Sequence, residues 1–293
     1  MKIAICISGL IGSTAKGGSG KPIDFYKTKK YFDKNLIASN SQIDYFLQCW
    51  NKEFKIELLD LYKPKKYKFE SPIKKKENHN FKEYGIISNQ YSKLEVSKLK
   101  MEYEKDNDFK YDWVILTRFD VLILKSININ NLDNKKFYVL GPKYHHNNLC
   151  KCVFCDQKNP LHGLNDFLFI SSSKKMDEFS KLFDHLDKYK LTNNHTVTKQ
   201  HLVKLNFYKD IDYILNCVTN IYPSIWHFLE KVKLFPKGMV PARVYECDTL
   251  LIRWVDKSKW LKFLDFVIFK SKIDILFENS VKVKNYIFRQ ARF

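Results

Sequence analysis

Short apolar runs and longer amphipathic stretches alternate along much of the chain. The runs are rich in Ile, Leu, Val and aromatic residues, as are strands buried on both faces of a parallel sheet. Strands are predicted at 2–8, 111–124, 137–141 and 166–173. Apolar positions at helical spacing predict helices over 89–105 and 174–190. This alternation predicts an α/β fold in which helices flank a mostly parallel sheet.

Two segments stand apart from this alternation. Residues 63–82 are basic, contain two prolines and lack periodicity, which predicts a surface loop. Residues 211–293 are predicted to form a basic, α-rich C-terminal segment packed on the main region at 1–210. Its apolar run at 260–269 is too short to cross a bilayer and is followed by basic and aromatic residues. That end either lies on an anionic membrane surface or packs on the core with its basic face in solvent.

The net charge of +19 comes from 51 basic and 32 acidic residues. It favours anionic partners: phosphorylated sugars, nucleic acid or an anionic membrane face. Only five of the basic residues are arginines, whereas surfaces that read phosphate often use the bidentate guanidinium. Because the chain also has no recognisable nucleic-acid-binding motif, nucleic acid is the weaker alternative.

A glycine-rich stretch, SGLIGSTAKGGSGKP at 8–22, follows the first predicted strand. It is not the phosphate loop of an ATPase, because Ala15 stands where the first Gly of that motif belongs and Pro22 where its hydroxyl belongs. Ser8 and Gly9 still end a strand, and the backbone N–H groups of a polar loop can cradle an anion. The stretch is either a nucleotide-binding loop or an ordinary surface loop.

Thr117, Arg118 and Asp120 interrupt the most apolar run of the chain. Burying an ion pair is costly and seldom gains stability. Either Arg118 and Asp120 form a structural pair, or the run is two short strands with a polar insert facing a cleft. In a cleft, the Asp120 carboxylate could bind a divalent ion that bridges two phosphates, with arginine neutralising the remaining charge.

Asp166 precedes the last predicted strand and is a second candidate functional residue, as a catalytic base. A carboxylate in a cleft can deprotonate an attacking hydroxyl, whereas an aspartate at a strand start can also simply cap a turn. Ligands of parallel sheets bind at the carboxyl ends of the strands. Ser8, Gly9, the segment 118–120 and the approach to Asp166 are therefore predicted to share one rim.

Seven cysteines, an odd number, argue against a disulfide framework and favour the cytoplasm. Cys150, Cys152 and Cys155 lie close together, with His162 downstream. Three thiolates and one imidazole are the ligands of a closed structural zinc site, and the alternative is a set of reduced cysteines in an irregular loop. His195 has no partner motif and is predicted to be a surface or packing residue.

The motifs resemble those of the surface-polysaccharide glycosyltransferases of bacteria and giant viruses, the WavE-like family of capsule and lipopolysaccharide synthesis. The matching stretches are ISGLIG at 7–12, YDWVILTRFD at 111–120 and NDFLFISSS at 165–173, within about residues 1–210. Leu10 and Gly12 stand where that family has Gln and Arg after Ser-Gly.

This resemblance implies a GT-A-like fold at 1–210 and transfer of a sugar from a nucleotide-sugar donor to a surface glycan, which can be lipid-linked at the inner membrane face. The implied donor-binding residues are Ser8, Gly9, Thr117, Arg118 and Asp120. Asp120 stands where the metal-binding Asp-x-Asp motif ends, which implies a Mn²⁺ or Mg²⁺ cofactor, although Arg118 takes the place of the first Asp. The alternatives are a phospho- or sulfo-transferase acting on the same glycans and a basic nucleic-acid-binding protein.

Overall fold

The computed structural model describes six segments of the chain: 1–12, 23–38, 41–123, 126–140, 164–214 and 249–251. Three sequence predictions lie outside them. These are the glycine-rich part of the 8–22 loop, the cluster of Cys150, Cys152, Cys155 and His162, and almost all of the C-terminal segment.

A seven-stranded sheet forms the centre of the fold. In spatial order its strands are β4 (Lys66–Phe69), β3 (Gln42–Cys49), β1 (Lys2–Gly9), β5 (Trp113–Arg118), β9 (Leu168–Ser171), β8 (Phe137–Val139) and β10 (Ile211–Tyr213). β1 pairs in parallel with β3 and β5, β3 with β4, and β8 with β10. β9 alone runs antiparallel to its neighbours in this sheet, β5 and β8. The predicted mostly parallel sheet flanked by helices is thus confirmed.

Two small sheets accompany the main one. β2 (Leu36–Ile37) pairs in parallel with β7 (Ile127–Asn128), and β6 (Val121–Ile123) pairs antiparallel with β11 (Thr249–Leu251). Both β10 and β11 come from the region 211–293, and each pairs with a strand of the region 1–210.

Helices cover both faces of the main sheet. They are α1 (Phe25–Asn35), α2 (Lys55–Tyr62), α3 (Phe81–Asp106), α4 (Ser173–Ser180) and α5 (Asn194–Lys204). On one face, Phe32 of α1 and Leu58 of α2 share a buried cluster with Ile5 of β1. On the other, Val96 of α3 and Met176 of α4 pack with side chains from the opposite face of β1. Alternate residues of β1 thus enter two hydrophobic layers, because successive side chains of a strand point to opposite faces.

α3 is longer than the predicted helix, which began at residue 89. Asn80 caps it, accepting hydrogen bonds from the N–H groups of Lys82 and Glu83, and the Glu83 side chain accepts one from the Asn80 N–H. This capping box satisfies backbone donors that the first helical turn leaves without partners. The helix therefore extends into a region whose apolar pattern is too weak to predict it.

The prediction of a surface loop at 63–82 is wrong near its start, where β4 forms. Lys68 lies 2.5 Å from Glu95 of α3 and 3.1 Å from Glu70, so this part of the basic stretch pairs its charge across the sheet edge. Lysine is common on edge strands because it discourages pairing with another chain. The helix predicted at 174–190 is α4 followed by a 3₁₀ helix, Lys181–Lys188.

The apolar run at 111–124 forms two strands separated by a polar turn, as one of its two interpretations predicted. β5 ends at Arg118, Phe119 and Asp120 make a turn, and β6 follows. Among the described residues, no helix has the length and apolar character needed to cross a bilayer.

Candidate functional site

The strand order reverses at β1, whose neighbours are β3 on one side and β5 on the other. Such a switch point opens a crevice at the carboxyl ends of the strands, where α/β proteins bind ligands. β1 ends at Gly9 and β5 at Arg118, and Ser8 is the register partner of Arg118. The structure therefore brings these predicted donor-binding residues together at one edge of the sheet, where a crevice of this kind is expected.

Asp166 reaches the same crevice because β9 is antiparallel. Leu168, the first residue of β9, lies opposite Thr117 near the end of β5. The Thr117 hydroxyl donates a hydrogen bond of 3.0 Å to the Phe167 carbonyl, which fixes the approach to β9 against the end of β5. The predicted shared rim is confirmed, although the direction of β9 was not evident from the sequence.

The turn after β1 is held by contacts within the chain. Gly9 has φ of 118°, a conformation that L residues rarely adopt, and its carbonyl accepts a hydrogen bond from Trp50 N–H. The N–H groups of Ile11 and Gly12 both donate to Asn51 Oδ1, at 2.9 and 3.2 Å. These two N–H groups are therefore already paired, with the Asn51 side chain as their acceptor.

Gly9→Ala is expected to lower the free energy of unfolding by about 1–2 kcal/mol, because the backbone conformation and not crowding opposes a side chain there. A Cβ at Gly9 would meet nothing within 4 Å. Gly85→Ala in α3 is the matched control, since its Cβ would also be unobstructed and alanine favours a helix by about 1 kcal/mol. Urea unfolding should give opposite signs for the two variants. If Gly9→Ala is as stable as the unmodified protein, the backbone conformation at Gly9 does not oppose a side chain.

Arg118 and Asp120 form a bidentate ion pair, with hydrogen bonds of 2.9 and 2.7 Å to the two carboxylate oxygens. Asp120 is buried, and the Arg118 guanidinium lies 4.9 Å from the centre of the Phe167 ring. Both interpretations of the polar insert thus hold in part. Arg118 and Asp120 form an ion pair, and that pair lies at the end of β5, on the predicted rim.

The residues around Asp120 do not fit a divalent-metal site as they stand, because Arg118 engages both carboxylate oxygens. Within the described segments, no group of three or more His, Cys, Asp or Glu side chains is arranged to hold a metal ion. Dependence on Mn²⁺ or Mg²⁺ stays a prediction.

Asp166 is 2% exposed and lies between the side chains of His195 and Lys93. Its Oδ1 is 3.2 Å from His195 Nδ1, and its Oδ2 is 3.9 Å from Lys93 Nζ. Burial by itself would raise the pKa of Asp166, but the charges of its neighbours, His195 first and then Lys93, hold that pKa below its usual range. Asp166 is therefore a carboxylate near neutral pH.

Lys93 of α3 is a crevice residue that the sequence did not reveal as functional. It is 4% exposed, and its Nζ has no hydrogen-bond partner among the residues that the structure describes. Burial lowers the pKa of Lys93 to about 8; Asp166 opposes this effect and Arg118 adds to it. Buried polar groups are nearly always hydrogen-bonded, so an ammonium with unused donors beside a crevice points to a ligand.

The spacing of the polar residues along α3 is the sequence feature that could have pointed to Lys93. Gln90, Lys93, Ser97, Lys100 and Glu104 follow one another at alternate steps of three and four residues, and all five are buried. Residues so spaced line one face of a helix. This polar seam of α3 packs on the sheet, beside the apolar residues that predicted the helix.

The two lysines of the polar seam differ in how well they are paired. Lys100, near the amino ends of the strands, donates hydrogen bonds to Glu104 (2.9 Å), Ser173 (2.6 Å) and Asp177. All three ammonium hydrogens thus have acceptors, as expected of a structural group. Of these two lysines, Lys93 is the one whose ammonium has no hydrogen bond among the described residues, and it lies at the end of the seam near Asp166.

His195, which the sequence predicted to be a surface or packing residue, also contacts Asp166. It lies in the first turn of α5, whose N-cap Asn193 accepts a hydrogen bond from Thr196 N–H. Its Nδ1 is 3.1 Å from the Leu164 carbonyl and 3.2 Å from Asp166. Its partner comes from a segment about thirty residues earlier, and that separation hid the pair from any local motif.

Comparisons of the sequence with known proteins add no relative to this description. No protein-family model matches the chain, and a search of curated proteins finds no match. The geometry of the crevice is therefore the basis for the function proposed next.

Proposed function

We propose that the protein is a glycosyltransferase that moves a sugar from a nucleotide-sugar donor to a surface-glycan acceptor. The observation that carries this proposal is the position of two cations near the carboxyl ends of β1 and β5: Lys93 beside Asp166, and Arg118 paired with Asp120. A nucleoside diphosphate is an anion that such a crevice suits in both charge and position.

The sheet topology supports nucleotide binding. When β1, β3, β4 and β5 are counted along the chain, their spatial order is 3-2-1-4. Sheets of this order bind nucleotides where the order reverses. The GT-A-like character of the fold is part of the proposal and is consistent with this half-sheet.

The cations also suit the chemistry of sugar transfer. Breaking the bond between the anomeric carbon and the diphosphate leaves negative charge on the departing nucleotide. Donors held in a water-poor site stabilise such charge strongly, because they need no reorganisation. Lys93 has donors available for this purpose, whereas both hydrogen bonds from Arg118 described above go to Asp120.

The test is thermal unfolding with UDP, GDP, CDP and CMP, each with and without Mn²⁺. One nucleotide is expected to raise the midpoint, because a ligand at about 100 times its Kd adds about 2.7 kcal/mol to the stability of the folded state. Asp120→Asn is expected to remove the shift, since it breaks the bidentate pair that holds the Arg118 guanidinium in position. Asp112→Asn, an exposed aspartate just before β5, should keep it.

Three results would count against the proposal or refine it. If no nucleotide shifts the midpoint while nucleic acid does, the glycosyltransferase proposal fails. If Asp120→Asn does not fold, Arg118→Lys takes its place, because lysine keeps the charge and loses the bidentate pair. If the shift requires Mn²⁺, the Arg118–Asp120 pair must open to admit the ion.

A further inference from the structure

We propose that His195 and Asp166 act as an imidazole–carboxylate dyad in which His195 Nε2 takes the proton from the acceptor hydroxyl. Asp166 is then a positioning residue, not the base itself. This inference rests on the proposed transferase function and assigns the proton transfer within the same crevice.

The first support is the environment of Nδ1 of His195. It faces the Leu164 carbonyl oxygen at 3.1 Å and Asp166 Oδ1 at 3.2 Å. Both groups are acceptors when Asp166 is ionised, so Nδ1 must carry the hydrogen. In a neutral imidazole the lone pair is then on Nε2, the nitrogen that can accept a proton.

The second support is access. A general base must come within hydrogen-bond distance of the proton that it removes. The Asp166 side chain is 2% exposed, whereas that of His195 is 21% exposed. Of the two side chains, that of His195 is the more accessible to an acceptor hydroxyl.

The third support is the rigidity of the pair. Leu164 N–H donates to the His195 carbonyl at 3.0 Å, which ties the segment before Asp166 to α5. Asn165 Oδ1 accepts from Phe167 N–H at 3.0 Å and fixes the turn that carries Asp166. The carboxylate and the ring are therefore positioned before a substrate arrives, which is what a base needs to act in one geometry.

The charged groups that face the dyad come from three elements. Lys93 approaches Asp166 from α3, and Arg118 acts on Asp166 from the end of β5. Asp166 itself precedes β9 and shares its two oxygens between Lys93 and His195. A proton taken up by the ring is thus balanced by the buried carboxylate, as in other histidine–carboxylate pairs.

In the proposed step the acceptor O–H bond breaks and its proton passes to His195 Nε2. The oxygen uses the electron pair of that bond to form a new bond with the anomeric carbon of the donor. The bond between that carbon and the diphosphate oxygen breaks, and its electron pair leaves on the nucleotide. Lys93 lies on the side of the carboxylate opposite His195 and can donate to the departing group.

The first arm of the test measures the tautomer directly. A long-range ¹H–¹⁵N spectrum of protein labelled at its eight histidines, assigned with the His195→Asn variant, should show hydrogen on Nδ1 of His195 near neutral pH. Asp166→Asn should weaken this preference, because the amide is a poorer acceptor than the carboxylate. Hydrogen on Nε2 in the unmodified protein would overturn the inference.

The second arm measures nucleotide release from UDP-glucose, UDP-N-acetylglucosamine and GDP-mannose, with water as acceptor. His195→Asn keeps a side-chain N–H near the place of Nδ1 and lacks Nε2, so kcat should fall by about 100- to 10,000-fold with KM little changed. Imidazole in solution should restore part of the activity of His195→Ala, a recovery that a purely structural role would not allow. His79→Asn, in the segment before α3, is the control.

The outcomes separate the two proposals. A His195→Asn protein that binds nucleotide and releases it at the normal rate overturns the dyad and leaves the transferase proposal standing. An unmodified protein that binds no nucleotide overturns the transferase proposal and, with it, the catalytic role of the dyad.

Discussion

Replacing Lys100 by methionine is expected to lower the free energy of unfolding by about 3–5 kcal/mol. Lys100 is fully buried and donates to Glu104, Ser173 and Asp177. Without it, Glu104 loses one of its buried partners and Asp177 its shortest ion pair. A buried charge that loses its partner costs far more than the intact pair contributes, because the remaining charge has no water to solvate it.

Urea unfolding near neutral pH measures this effect, with Lys98→Met on the same helix as the matched control. The Lys98 side chain is 49% exposed and pairs with Glu95 three residues earlier, so its loss should change stability by less than about 0.5 kcal/mol. If Lys100→Met unfolds at the same urea concentration as Lys98→Met, the cluster around Lys100 does not stabilise the fold.

Lys93→Met is expected to have the opposite effect on stability and to abolish nucleotide binding. Lys93 is buried to a similar extent, but its ammonium has no hydrogen bond among the described residues. Its pKa falls from 10.5 to about 8, and at about 1.4 kcal/mol per pKa unit this corresponds to a cost of folding on the order of 3 kcal/mol near pH 7. Methionine removes that cost, so the variant should be at least as stable as the unmodified protein.

The pH dependence of stability provides a sharper measurement. Because the pKa of Lys93 is lower in the folded state, the unfolded chain holds a proton that the folded chain lacks between about pH 8 and 10.5. Stability therefore rises with pH across this window, wherever the unfolded state binds more protons. The stability of the unmodified protein relative to Lys93→Met should increase over the same window.

A clear loss of stability in Lys93→Met near pH 7 would contradict this expectation. It would mean that the contact with Asp166 makes Lys93 a structural group like Lys100. Retention of the nucleotide-induced shift in Lys93→Met would separately show that the ammonium does not bind the diphosphate. The two lysines of one polar seam thus test whether a buried cation without a hydrogen bond among the described residues marks a ligand site.

The apolar pattern was sufficient to predict the class of the fold. β1 and β5 are buried on both faces, so their sequences are dense in apolar residues and easy to recognise. The pattern failed for β4 and for the first part of α3. β4 is a half-exposed edge strand made largely of lysine and aromatic residues. The start of α3 depends on the cap at Asn80 more than on an apolar face.

The candidate site was predicted only in part. Arg118 and Asp120 drew attention because charged residues inside an apolar run are conspicuous, and Asp166 because it precedes another such run. Lys93 and His195 were missed, since each lies in a polar stretch where a charged or aromatic residue is ordinary. Their importance depends on Asp166, which is more than 25 residues away from both in the chain.

The sequence by itself determined which segments are buried, because burial requires apolar side chains at the period of a strand or a helix. For the run at 111–124 it offered two interpretations, one of which was the division into two strands that the structure shows. Only the tertiary structure decided that β9 runs antiparallel and brings Asp166 to the crevice. Likewise, only packing decided that Lys100 is fully paired while Lys93 is not. The physical reason is that a charge acquires its partners, and so its pKa and its role, from groups that distant segments bring within a few ångströms.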